Sequence, residues 1–151
     1  MRRQKSELGV DRRPPFETGP TVVSLIAALD GERGSLLAQV RRATLSLQGV
    51  EERTLYDGFC REWTPAYYVD DGQLFHVHNF RAGLRATIFV GTRMIRALLL
   101  EPNTAYERLL SAANSPGPRG PNTIKVPLTC AEEVTFLMDL VRVKRDFLRG
   151  L

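Results

Sequence analysis

The stretch PAYYVDDGQLFHVHNFRAGLRATIFVG, residues 65–91, decides the fold. Apolar and polar side chains alternate along it with a period of two, which is typical of strands and not of helices. Asp-Asp-Gly at 70–72 is a strong hairpin signal, and Arg-Ala-Gly at 81–83 suits a second turn. We therefore predict an antiparallel meander of strands at about 65–69, 73–79 and 83–90.

On both sides of this meander, apolar residues recur at the three- and four-residue spacing of amphipathic helices. The helices predicted before it are at about 20–31, 35–49 and 50–63. Those predicted after it are at about 92–101, 105–113 and 130–148, with a short strand at 123–128 before the last. This order indicates an α+β fold, in which an antiparallel sheet of three to five strands carries helices packed mainly on one face.

A chain of 151 residues, 43% of them hydrophobic, is long enough for one sizeable core. We predict a disordered basic tail at residues 1–17 and a single α+β domain at 18–151. The first 15 residues hold five Lys and Arg against two Asp and Glu, which leaves the rest of the chain close to neutral. Such a charge distribution is typical of a solvated terminus.

We expect a cytoplasmic protein with no membrane partner, because no apolar run has the length of a leader peptide or a membrane span. Cys60 and Cys130 are too far apart to suggest a disulfide framework or a zinc motif. Both fall in predicted helices, where a buried, reduced thiol is the ordinary state.

The two histidines of the chain, His76 and His78, point to the same face of the second predicted strand. Paired imidazoles at this spacing suit a transition metal, but such a site needs a third protein ligand. The available carboxylates are those of Asp70, Asp71 and Glu101, and no feature of the sequence marks any of them as the third metal ligand. We therefore predict no metal site and no cofactor.

Aromatic side chains are concentrated around the meander, next to the two histidines. Phe75 and Phe89 are predicted to be core residues, with Phe89 and Trp63 packed against the closing helix. Aromatic side chains with polar ends suit the rim of a cleft that binds a flat ligand. The predicted ligand-binding residues are Trp63, Tyr67, Tyr68, His76, His78 and Arg85.

Segments spread over about residues 20–148 together resemble a family of small bacterial domains of unknown function, related to the YdhG-like group. The features that carry the resemblance are Trp63 at the entry to a hairpin, Gly91, Gly120, Ile124 with Val126, and Lys144 with Arg145. The resemblance implies a compact α+β sandwich. The iron-chaperone role given to some YdhG-like proteins depends on acidic surfaces, and this chain departs from them with its net charge of +4.

These features favour a small binding or accessory domain without catalytic activity, which uses an aromatic cleft on its sheet for a small ligand or a partner protein. The sequence has no nucleophile motif, phosphate-binding loop or dinucleotide fingerprint. Two alternatives stay open. One is a small enzyme that uses His76 or His78 as an acid–base group. The other is a nucleic-acid-associated protein that uses the Arg-rich tail.

Overall fold

Residues 19–101, 104–112 and 122–150 are described by a computed structural model of the chain. The tail predicted at 1–17 lies outside these described residues. Within them, no helix combines the length and the apolar character that crossing a membrane requires.

One antiparallel sheet of five strands forms the frame of the fold, and its spatial order follows the chain order. Each strand pairs with the next one along the chain. The strands are β1 (Val50–Asp57), β2 (Glu62–Val69), β3 (Gly72–Phe80), β4 (Gly83–Val90) and β5 (Asn122–Leu128). The predicted α+β fold class is confirmed.

Helices pack on one face of this sheet. They are α1 (Val22–Ala27), α2 (Gly31–Leu45), α3 (Thr92–Leu99), α4 (Thr104–Ala112) and α5 (Ala131–Leu148). Their apolar sides share one cluster with alternate side chains of the strands. We call the sheet face against this cluster the inner face, and the opposite one the open face. An antiparallel sheet tolerates this arrangement because its strands need burial on one side only.

The segment Val50–Asp57 is a strand, so the helix predicted at 50–63 is wrong. Its residues alternate between half-buried and exposed over most of the strand, as expected for an edge strand with one face toward the helices. It pairs with β2 along its whole length. This pairing stabilises the extended backbone and overrides the helical spacing of the local sequence.

The turn between β2 and β3 lies where the sequence predicts it. Its central residues, Asp70 and Asp71, have positive φ angles of 49° and 66°. A type I′ turn of two residues requires positive φ at both positions, and Asp tolerates this better than most residues. The turn therefore fixes how β2 and β3 are placed against each other.

A β-bulge changes the predicted side-chain alternation at the start of β3. The register between β2 and β3 shifts beside Tyr67 and Tyr68. Leu74 and Phe75 are consequently both buried in the apolar cluster, although strict alternation would place Leu74 on the face of His76.

A polar network connects the inner face of the sheet to α2. Glu52 Oε2 accepts one hydrogen bond from Arg41 Nε and one from the Tyr67 hydroxyl, each at 2.9 Å. Burial raises the pKa of Tyr67, so the hydroxyl stays protonated and donates. The Glu52 carboxylate therefore links the helix to the sheet through Arg41, and Tyr67 orients it from the neighbouring strand.

Lys144 of α5 is a buried cation. The residue is 8% exposed, and its Nζ donates to the Phe89 carbonyl oxygen at 2.6 Å. Burial penalises the charged form and lowers the pKa of Lys144 from 10.5 to about 8. The folded protein therefore holds this proton less tightly than the unfolded chain does.

We expect the contribution of Lys144 to stability to increase as the pH rises from 7 to 10.5. Between the folded-state pKa of about 8 and 10.5, the unfolded chain binds more of this proton, so stability rises with pH in that window. The gain is at most about 3 kcal/mol, at ~1.4 kcal/mol per pH unit. The measurement is the free energy of unfolding in urea of the wild-type protein minus that of Lys144→Met at both pH values. A difference independent of pH would contradict the prediction.

Candidate functional site

The open face brings polar and aromatic side chains together across β2, β3 and β4. Ala66, His76 and Thr87 lie side by side in register, and His78 lies opposite Arg85. Side chains two residues away on each strand point to the same face. The central residues of the open face are Thr64, Ala66, Tyr68, His76, His78, Phe80, Arg85, Thr87 and Phe89.

The structure divides the predicted ligand-binding residues between the two faces of the sheet. Those on the open face are Tyr68, His76, His78 and Arg85. Tyr67 lies on the inner face, fully buried. Trp63 also lies on the inner face, where it packs edge-on against Tyr56 with 5.4 Å between ring centroids. Trp63 and Tyr67 therefore do not line one cleft with the other four residues.

Phe89 lies on the open face, so its predicted packing against the closing helix is wrong. It is 40% exposed, and its ring centroid is 5.7 Å from that of His76. Phe75, also predicted to be a core residue, is fully buried and stacks on Tyr67 at 5.0 Å. The two phenylalanines therefore mark the two faces of the sheet.

A turn after β1 carries a carboxylate and a thiol to the edge of the open face. Asp57 Oδ1 accepts hydrogen bonds from the backbone amides of Phe59 at 2.9 Å and Cys60 at 3.1 Å. Asp57 Oδ2 lies 2.7 Å from His78 Nε2. The Cys60 thiol donates to the same carboxylate. Cys60 therefore lies in a polar turn, and its predicted place in a helix is wrong.

The protonation states of this cluster follow from its hydrogen bonds. The Cys60 amide, together with His78 and the Phe59 amide, lowers the pKa of Asp57 from 3.8 to about 2. The carboxylate is ionised and can only accept, so His78 Nε2 carries the proton between them. Burial and the Asp57 charge raise the pKa of Cys60. The sulfur is therefore a neutral thiol at neutral pH.

His76 occupies the middle of the open face as a neutral imidazole. Its Nδ1 donates to Gln73 Oε1 at 2.8 Å. Burial, and then the neighbouring His78, lower the pKa of His76 from 6.5 to about 4. The two imidazole rings meet edge to face with 4.9 Å between centroids. His76 is therefore a hydrogen-bonding and packing group and a weak base.

Arg85 lies beside His78 on the neighbouring strand, and its guanidinium forms no ion pair with the described residues. Its guanidinium carbon lies 4.4 Å from the centroid of the Phe80 ring, in a cation–π contact. Its Nε is buried and has no hydrogen-bond partner in the described part of the chain. Stacking on Phe80 thus fixes the position of the Arg85 guanidinium on the open face.

The arrangement of Cys60, Asp57 and His78 does not suit nucleophilic catalysis, because Asp57 lies between the thiol and the imidazole. A cysteine nucleophile needs a base in direct contact to take its proton. Here the Asp57 carboxylate is hydrogen-bonded to both the Cys60 thiol and His78, and its charge opposes formation of the thiolate.

Asp57, Cys60 and His78 together form a group that could hold a metal ion. Their carboxylate, thiol and imidazole ligand atoms all lie within 4.8 Å of one another. Asp57 and Cys60 were not predicted as a pair of ligands, because both fall in the segment 50–63 that the local pattern assigns to a helix. The Asp-Gly pair at 57–58 is a turn signal that could have revealed this loop.

The chain matches no protein-family model, no curated protein and no solved structure. The resemblance to the YdhG-like group therefore stays a prediction.

Proposed function

We propose that the protein is a non-catalytic binding domain, which holds a small anionic ligand with a flat apolar part on the open face of its sheet. The observation that carries this proposal is the state of Arg85: stacked on Phe80, buried at Nε, and without an acceptor among the described residues. A buried donor without a partner costs about 1–3 kcal/mol. The ligand binds the two terminal amino groups of the guanidinium, which have no acceptor among the described residues and, unlike Nε, are not fully buried.

The charges around Arg85 favour an anion. The planar guanidinium matches carboxylate and phosphate groups and forms two parallel hydrogen bonds with them. The nearby Asp57 carboxylate is engaged by two backbone amides, the Cys60 thiol and His78. Among the described residues no ion pair joins this carboxylate to Arg85, so the guanidinium can form one with a ligand.

The aromatic rings next to Arg85 supply the apolar part of the site. Phe80 stacks on His78 at 5.2 Å between ring centroids, and Phe89 lies against His76. Phe89 remains 40% exposed, so its ring offers a surface to a ligand. Flat rings of this kind suit a planar ligand in an offset or edge-to-face arrangement.

Native mass spectrometry of the protein purified under mild conditions tests this function. We expect the wild-type protein to carry a small molecule that Arg85→Met loses. Arg96→Met is the matched control, because Arg96 is exposed on α3, and it should keep the ligand. The ligand-free stability of Arg85→Met should equal that of the wild type or exceed it by about 1 kcal/mol, since a buried unpaired donor is removed.

Two results would contradict the proposal. One is a wild-type protein that carries no small molecule. The other is the same bound mass in all three proteins, which would place the ligand away from Arg85.

A further inference from the structure

We propose that Asp57, Cys60 and His78 bind one divalent transition metal ion of the zinc type. This site goes beyond the anionic ligand proposed above and does not depend on it. The donor set consists of one carboxylate oxygen, one sulfur and one imidazole nitrogen, all within 4.8 Å of one another.

The separations between the donor atoms suit a tetrahedral ion. Metal–ligand bonds of about 2.0–2.3 Å separate neighbouring donors by roughly 3.3–3.8 Å in a tetrahedral site. Asp57 Oδ2 and His78 Nε2 are 2.7 Å apart, and no separation between the three donors exceeds 4.8 Å. Small side-chain rotations of Asp57, Cys60 and His78 therefore suffice to bring all three atoms to bonding distance.

Asp57 is already oriented as a metal-binding carboxylate. Two backbone amides hold its Oδ1, at 2.9 and 3.1 Å, and leave Oδ2 directed at His78. Metal-binding carboxylates are commonly fixed in this way by hydrogen bonds to the oxygen that does not bind the metal. The backbone of the turn thus supports the ligand directly.

Metal binding replaces two hydrogen bonds of the cluster with bonds to the ion. The imidazole of His78 exchanges its proton with solvent so that Nδ1 carries it in place of Nε2 and the ring stays neutral, and the Cys60 thiol proton leaves to solvent. The metal then bonds to Nε2, Sγ and Asp57 Oδ2. A dication matched by one carboxylate and one thiolate is locally neutral, which offsets the cost of holding it beside Arg85.

The mixture of oxygen, nitrogen and sulfur donors selects the metal. Thiolate and imidazole favour zinc and neighbouring transition metals over magnesium and calcium, which prefer oxygen ligands alone. Three protein ligands leave a fourth position for water or another ligand. This inference replaces the sequence-based expectation of no metal site, which assumed that His76 and His78 would bind jointly and that a third ligand was lacking.

Titration of the full-length, chelator-treated protein with Co²⁺ alone tests the site. We expect saturation at one equivalent, with a thiolate-to-cobalt charge-transfer absorption. Cys60→Ser should abolish that absorption. The affinity of His78→Asn for Co²⁺ should fall by more than about 100-fold. Loss of a group that only supports a metal ligand costs roughly 10–100-fold. The matched control is Cys130→Ser, at the exposed cysteine before α5, and it should bind like the wild type.

Urea unfolding curves of each variant separate loss of metal binding from loss of fold. If Cys60→Ser is unfolded, Cys60→Ala in the same titration takes its place. The proposal is overturned if the wild type shows no saturable binding, if Cys60 variants keep the charge-transfer band, or if Cys130→Ser loses it. The metal is titrated without any organic ligand, so a negative result here leaves the Arg85 test unaffected.

Discussion

A chain that ends at Thr129 is expected to lose the cooperative unfolding transition altogether. This truncation removes α5, whose apolar face lies against the sheet and α2 and is buried in the core cluster. Its buried apolar residues are Val134, Leu137, Met138, Leu140, Val141 and Val143. Burial of each such side chain contributes about 1.5–3 kcal/mol. The sum of these contributions is comparable with the net free energy of unfolding of a whole domain, which is roughly 5–15 kcal/mol.

Circular dichroism and thermal unfolding of the truncated chain check this expectation. The control is a chain that ends at Leu148, which keeps all of α5. Among the described residues, it loses the hydrogen bond from Arg149 to the Gln48 carbonyl oxygen and the two backbone hydrogen bonds from the amides of Arg149 and Gly150 at the exposed helix end. We expect this control to unfold cooperatively, with a loss of no more than about 1 kcal/mol. A sharp transition in the shorter chain, at the wild-type temperature, would show that α5 is not part of the core.

The second large effect is expected from Phe75→Ala, compared with Phe89→Ala. Phe75 lies on β3 and is fully buried on the inner face, so its truncation leaves a cavity and should cost about 3–5 kcal/mol. Phe89 lies on β4 with 40% of its surface exposed on the open face. Its truncation removes little buried area and should cost only about 1 kcal/mol.

Urea denaturation of both variants measures this difference. The comparison is well matched, because the same residue type is removed from two adjacent strands of one sheet. Equal losses, or a larger loss for Phe89→Ala, would contradict the assignment of these residues to opposite faces.

Short-range signals predicted the centre of the fold correctly. The turn residues Asp70 and Asp71 and the period-two alternation are local properties, so the β2–β3–β4 meander could be derived from the sequence. The segment 50–63 could not, because its extended backbone depends on pairing with β2 and not on its own propensity. The bulge at Leu74 is a tertiary feature of the same kind.

The candidate site was predicted in part, for the same physical reason. Alternation along one strand placed His76 and His78 on a common face, and the meander added Arg85. Asp57 and Cys60 reach His78 only because β1 forms an edge strand and the turn after it folds toward β3. A contact between residues 21 positions apart requires the correct tertiary pairing, which local patterns do not contain.

The central claim is that the open face, and not the helix layer, binds the ligand. Amide chemical shifts of isotope-labelled protein, titrated with a panel of small aromatic carboxylates and phosphates, test it most directly. We predict that the shifts that change are concentrated on the central strands, at His76, His78, Arg85 and Thr87, and that Leu137 of α5 is unaffected. Changes confined to the helix layer, or no saturable change with any member of the panel, would contradict the claim.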